Sequence, residues 1–192
     1  MIDVQIMSGV PGSGKSHQAN GFAKVMTSED EEGIIISADH YFYPDLNARL
    51  GVGSGIYFGI PFNLADRVVT DLGYAFDPSK LPTAHQQCME AFINALIATK
   101  NREHYTIVVD NTNIHNYEIS PYYLVGEAMG AKVEIVRIES PLERCLRRNT
   151  HEVPAEIVTK MHETFSEDGP HPWEENVILP KQHMPWWISR TV

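Results

Sequence analysis

Residues 9 to 16 read Gly9-Val10-Pro11-Gly12-Ser13-Gly14-Lys15-Ser16 and match G-x-x-x-x-G-K-[ST] at every fixed position. The spacing suits one kind of ligand. Glycines let successive backbone N–H groups turn inward as a nest for anionic oxygens. A helix opening directly after the loop adds its free N-terminal N–H groups and the positive end of its dipole. The lysine can bridge the β- and γ-phosphates of a nucleoside triphosphate. The hydroxyl after it can ligate Mg²⁺, which keeps few protein ligands and several phosphate or water oxygens. ATP contact is therefore expected at Gly9, Pro11, Gly12, Ser13, Gly14, Lys15, Ser16 and the adjoining His17, with Mg²⁺ at Ser16. The run Gly51 to Gly59 has no strand before it and reads as a flexible loop instead.

Two aspartates follow apolar runs. Asp110 ends Tyr105 to Asp110 (YTIVVD), where a carboxylate can hold the same Mg²⁺ directly or through water. Asn111, Thr112 and Asn113 come next and can either orient substrate and the metal's waters or simply form a turn. Asp39 follows Gly33 to Ser37 (GIIIS). Phosphoryl transfer to a hydroxyl needs a base within hydrogen-bond reach of that hydroxyl, in line with the γ-phosphate, and Asp39 is the best-placed carboxylate. His40 beside it is a candidate substrate contact. Arg144, Arg147 and Arg148 lie within five residues on one expected helix, with Arg144 and Arg148 on a shared face. Guanidinium groups spread transition-state charge on a transferring phosphoryl group, so Lys15, Asp39, Arg148 and Arg144 form the expected catalytic set.

These residues need elements to hold them. Met1 to Ser8, Gly33 to Ser37, Tyr105 to Asp110 and Lys132 to Ile138 read as short buried strands, and Asn176 to Leu179 as a last one. Helices are expected over His17 to Met26, Pro82 to Lys100, Tyr117 to Met129 and Pro154 to Phe165. The second carries the stripe Leu81, Ala84, Cys88, Phe92 and Leu96, and Gly130 closes the third. Ser140-Pro141-Leu142-Glu143 predicts a helix start with Ser140 as cap and Glu143 completing a capping box. Thr27 to Glu32 reads as a loop. Residues 44 to 79, rich in glycine and proline, fit no period and read as an insertion after the second strand. Alternating strands and helices give an α/β fold: a central, mostly parallel sheet with helices on both faces and the ligand outside the carboxyl ends of the strands.

The bulk composition narrows the partners. The 192 residues fit one domain, and 43% apolar with 21% charged residues is ordinary for a water-soluble globular chain. A net charge of −10 argues against a clamp for duplex DNA, which needs a broad basic face. No window of 18 apolar residues predicts a membrane span. No basic region precedes the first apolar run, so a cytoplasmic location is expected. Cys88 and Cys145 match no metal or redox spacing and are expected to be reduced and buried.

The segments GVPGSGKS, SADHYF, VVDNTN and RRNTHEVP, in this order, resemble the polynucleotide 5′-hydroxyl kinases and their AAA-type and zeta-toxin-like relatives over residues 1 to about 165. The resemblance implies a single P-loop NTPase-fold kinase domain across 1–192, with a helical lid at 140–165. It implies general-base chemistry at Asp39 and a lid arginine at Arg148. Where the phage enzymes of that family grip the acceptor's 3′-phosphate with an arginine three residues after the base, this chain has Phe42. Thr150, His151 and Glu152 stand where those enzymes carry a longer lid with a further arginine. The expected activity is ATP- and Mg²⁺-dependent transfer to a hydroxyl, either the 5′-OH of a single-stranded nucleic acid end or a nucleotide or sugar-nucleotide alcohol. An ATP-binding or ATPase module without an acceptor is the alternative of another class. The absence of an N-K-x-D guanine signature weighs against a GTPase.

Overall fold

A computed structural model of the chain describes residues 2–25, 32–43, 46, 59–61, 73–173 and 176–178. In chain order its elements are strand β1 (Ile2–Ser8), helix α1 (Lys15–Val25), β2 (Glu32–Ile36), a 3₁₀ turn (Ala38–Phe42), β3 (Gly59–Pro61) and a second 3₁₀ turn (Pro78–Lys80). Then come α2 (Leu81–Thr99), β4 (Tyr105–Val109), α3 (Asn116–Ala128), β5 (Lys132–Ile138), α4 (Leu142–Arg147), α5 (Ala155–Asp168) and β6 (Asn176–Ile178). The sheet order is β3-β2-β4-β1-β5-β6, with every pairing parallel except β2 with β3.

The strands are apolar on both faces, and their period of two sorts them between two cores. Val4, Ile6, Ile36, Ile107, Val109 and Ile135 face α2 and α3, where Ala84, Cys88, Phe92, Leu96 and Ile119 pack. Met7, Ile35, Val108 and Val136 point the other way, against Ala19 and Phe22 of α1. The sheet is therefore sandwiched by helices, as the alternation of elements predicts. Both cysteines are free and buried. No helix among the described residues is long and apolar enough to cross a membrane.

Several boundaries move. The first helix opens at Lys15, two residues before the expected start, so its first turn is continuous with the glycine loop. Glu32 opens β2 rather than ending a loop. Much of the 44–79 segment and of the glycine run at 51–58 lies outside the described residues, but Gly59 belongs to β3 and not to a loop. It is antiparallel to Ile36 at the sheet edge, and a Cβ there would meet Ile34 Cδ1 at 2.2 Å. Ser140 does not cap α4. The chain leaves β5 extended through Pro141 (ψ 141°), which becomes the N-cap, and the helix starts one residue later. Ser140 Oγ is buried without a hydrogen-bond partner among the described residues.

The end of α3 closes on its own last-turn carbonyls. Gly130 N–H donates to Glu127 O and Ala131 N–H to Gly126 O, both at 3.0 Å, which is a Schellman closure with Gly130 left-handed at φ 80°. A Cβ on Gly130 would meet nothing within 4 Å. Gly130→Ala therefore isolates the backbone conformational cost, and urea unfolding is expected to show a loss of about 1 kcal/mol.

A buried polar cluster fastens α5 to the sheet. Arg137 of β5 is 1% exposed. Its guanidinium lies 3.5 Å from the Phe165 ring centroid and donates to the carbonyls of Phe165 and Gly169, closing the C-terminus of α5. Beside it, buried His171 sits 3.2 Å from Ser8 Oγ and 2.6 Å from Asn116 Oδ1. Burial, with Arg137 nearby, pushes the imidazole's pKa below its usual value. A lowered folded-state pKa means that the neutral ring is favoured by folding. Its stabilising contribution is complete above about pH 6.5 and declines as pH falls below that. Denaturant midpoints measured from pH 7.5 down to 5 should fall in the native chain, and His171→Asn should flatten that slope.

Candidate active site

The sheet order explains how residues far apart in sequence meet. Because β4 lies between β1 and β2, the carboxyl ends of these three strands are neighbours. They carry the loop Gly9–Ser16, Asp110 and the turn containing Asp39 side by side. A small open cleft at this edge is lined by Ser16, Asn20, Ser37, Asp39, His40, Tyr43, Asp110 and His151, with Ile35 and Ile60 as its apolar members.

The glycine loop folds as its chemistry requires. Ser13 N–H closes onto Val10 O at 3.1 Å and Gln18 N–H onto Gly14 O at 3.0 Å, while Gly9 N–H donates to Thr112 O at 2.8 Å. Gly12 has φ 75°, and a Cβ there would lie 2.1 Å from the Cys145 carbonyl oxygen, so only glycine lets α4 press its backbone onto the loop. Lys15 is buried, and its ammonium donates to Val10 O at 3.0 Å. Burial lowers its pKa, and the charges of Asp110 and Asp39 oppose that fall. His17 stands exposed in the first turn of α1, and Pro11 forms the outer turn of the loop.

Asp110 is the mirror case. Burial raises its pKa, with Lys15 and the Ser16 hydroxyl pulling the other way. Its Oδ1 is buried without a hydrogen-bond partner among the described residues. An orphaned carboxylate oxygen beside a serine hydroxyl, at the mouth of an amide nest, is a donor set that fits Mg²⁺ on a triphosphate. The residues present thus fit both groups the motif implies.

The Asp110-Asn111-Thr112-Asn113 turn ties the strand ends together. Asp110 N–H donates to Ile36 O at 2.8 Å, and Ser37 Oγ donates to Asp110 O at 2.7 Å. Asn111 Oδ1 accepts from Ala38 N–H at 2.8 Å, and its amide reaches Cys88 Sγ at 3.3 Å. Asn113, left-handed at φ 43°, donates to Met7 O at 2.8 Å. Both asparagine side chains are thus engaged in holding β1, β2 and β4 in register at the site.

Asp39 is the second residue of the 3₁₀ turn, and its own N–H is capped by Ser37 Oγ. Its Oδ1 accepts from the Tyr74 hydroxyl at 2.9 Å, and its Oδ2 faces His151 Nε2 at 3.8 Å. His40 is buried behind it and also lines the cleft. Arg144 is half-buried on α4. Arg148 is exposed at its C-cap, where its N–H closes onto Arg144 O at 3.1 Å. Neither arginine lines the cleft around the two aspartates.

Tyr74, Asn20, Ser37 and His151 enter the site without a sequence signal of their own. Tyr74 lies in the aperiodic stretch at 44–79, and His151 marks only a short gap between an asparagine and a Val-Pro pair. That gap is shaped by Asn149, whose amide donates to Val153 O at 2.6 Å while its Oδ1 accepts from Val153 N–H at 3.2 Å.

Human NEDD4-binding protein 2 is 27% identical over 169 residues, a match covering 83% of this chain and 7% of that protein, so the chain spans a small fraction of its relative's length. The crystal structure of APE1195 is similar, with a TM-score of 0.50 at 14% identity over 98% of this chain and 89% of that one. That of a gluconokinase from Sinorhizobium meliloti 1021 gives 0.49 at 14% identity, covering 98% and 86%. At such identities, likeness in structure speaks to fold alone. The profile of a family described as an AAA domain matches residues 4–167, from the first strand into α5, and the chain belongs to that family.

Proposed function

We infer that this chain is a P-loop kinase that uses ATP and Mg²⁺ to phosphorylate a hydroxyl. The observation that carries the reading is the convergence of three groups at one sheet edge: the amide nest with buried Lys15, the orphaned carboxylate oxygen of Asp110, and Asp39 across the same cleft. A nucleotide-binding module without an acceptor would need the first two and has no use for the third.

The nest and Lys15 hold the β- and γ-phosphates, and Ser16 and Asp110 hold the metal. Bound there, Mg²⁺ supplies neutralising charge on the phosphate oxygens. Asp39 accepts the proton of the acceptor O–H as that oxygen bonds to the γ-phosphorus. The bond from the γ-phosphorus to the bridging oxygen breaks, and its electron pair leaves on ADP. Arg144 and Arg148, carried by the segment that presses on Gly12, are the lid cations assigned to the transition-state charge. The acceptor classes are a 5′-OH of a single-stranded nucleic acid end and a nucleotide or sugar-nucleotide alcohol. The net charge of −10 leaves a duplex clamp aside.

Incubation with γ-labelled ATP, Mg²⁺ and either 5′-hydroxyl oligonucleotides or pooled small alcohols tests the reading. Label is expected on an acceptor. Label released only as inorganic phosphate, whatever alcohol is offered, would replace the kinase reading with an ATPase.

A further inference from the structure

The acceptor side of Asp39 is already covered by the chain itself. Tyr74 holds Oδ1 at 2.9 Å, a proper hydrogen bond, whereas His151 Nε2 stands 3.8 Å from Oδ2, too far for one. The imidazole lies against the Tyr74 ring, with centroids 4.3 Å apart and planes tilted by 41°.

The two partners are held very differently. Tyr74 is fixed from behind by the rings of Phe42 and Tyr43, and Ala75 N–H donates to Phe42 O at 2.9 Å. His151 arrives on the short loop pinned by Asn149, in which Glu152 takes φ 53°. A non-glycine residue there is held in a strained backbone conformation. A fixed aromatic floor thus carries a cover that stops short of a hydrogen bond to the base. That cover is a flat heteroaromatic ring with a nitrogen turned toward the base, at the point where an acceptor hydroxyl must arrive.

We propose that His151 stands in for the acceptor, and that the acceptor is an alcohol carrying a planar ring that bears no negative charge. The ring takes the place of the imidazole on Tyr74 as the hydroxyl takes its place at Asp39 Oδ2. This rests on the phosphotransfer reading. The ring is not an anion, because the cleft lining sets Asp110 beside Asp39 and holds no lysine or arginine. The surface continues outward: Phe76 is 47% exposed and lies within 10° of parallel to Tyr74. The base of a nucleoside has this chemistry, whether free or at the 5′ end of a single strand.

Binding can be read without turnover. With Mg²⁺ and a non-hydrolysable ATP analogue present, adenosine, a 5′-hydroxyl single-stranded oligonucleotide and glycerol are each titrated into the protein. The His151 ring resonances, assigned by their loss in His151→Ala, are followed by NMR. The two ring-bearing alcohols are expected to shift them, and glycerol is not. A response to adenosine assigns a free nucleoside, and a response to the oligonucleotide alone assigns a strand end. Removing the cover in His151→Ala should tighten ring binding about threefold to tenfold. Tyr74→Leu should weaken it about tenfold, through loss of stacking. Tyr74→Phe keeps the ring, so binding should stay within about twofold while turnover falls about tenfold, through loss of the hydrogen bond that aims Asp39. The proposal is overturned if neither ring-bearing alcohol binds, if they bind without moving His151, or if glycerol binds as well as they do. Binding with the expected shifts but no phosphate transfer would sustain this subsite and remove the kinase reading alone.

Discussion

Lys15→Met is expected to lower kcat/KM for phosphoryl transfer by about 10³-fold, equivalent to ~4 kcal/mol of transition-state stabilisation. The ammonium is buried at the base of the amide nest, where its charge acts through little water. Burial already lowers its pKa, so the protein holds this cation at a cost that folding alone does not repay. Methionine keeps the volume and removes the charge. Asp110 then loses the cation that opposes its own upward shift, so its neutral form is favoured further and less buried charge is left unpaired. Thermal unfolding without nucleotide should therefore stay within a few degrees of the native value. The Mg²⁺- and ATP-dependent rise in unfolding temperature should be lost. Calorimetric titration with ATP and Mg²⁺, alongside steady-state kinetics, measures both. Native-like transfer by Lys15→Met would remove the phosphate-loop assignment on which everything else at this site depends.

Asp39→Asn is expected to slow transfer by about 10³-fold while leaving ATP affinity within about twofold. The asparagine is isosteric and its oxygen can still accept from the Tyr74 hydroxyl, so the turn and the aromatic floor stay in place. Only the capacity to take the acceptor's proton is lost. This pattern separates the base from the phosphate-loop residues: Lys15→Met fails at binding and chemistry together, Asp39→Asn at chemistry alone. If Asp39→Asn kept full transfer, or lost nucleotide binding in equal measure, Asp39 would not be the base.

These two residues were also among the most legible. A phosphate nest is contiguous in the chain because its donors are consecutive N–H groups, so eight residues announce it without help from the rest of the fold. A carboxylate directly after an apolar run is nearly as plain, because parallel strands present their carboxyl ends at one edge. The α2 stripe at Ala84, Cys88, Phe92 and Leu96 and the Gly130 closure of α3 follow from helical periodicity and backbone conformation, which are local as well.

Where the outcome depended on neighbours distant in sequence, the residues alone left alternatives open or pointed elsewhere. Asn111 and Asn113 could have faced substrate, but their partners, Ala38 N–H and Met7 O, exist only once β2 and β1 flank β4. Ser140 has the local chemistry of a cap, yet the chain runs extended through Pro141 before α4 begins, and α4 comes to rest with the Cys145 carbonyl against Gly12. Tyr74 and His151 carry no periodic signal. They meet at Asp39 because the sheet order and the Asn149-pinned loop deliver them there. The sequence by itself determined the local chemistry, the phosphate loop and the polarity of its surroundings, since hydrogen-bond donors and backbone conformations are properties of neighbouring residues. Only the tertiary structure decided what surrounds Asp39, since that surface is assembled from three chain segments whose encounter is set by strand order and packing.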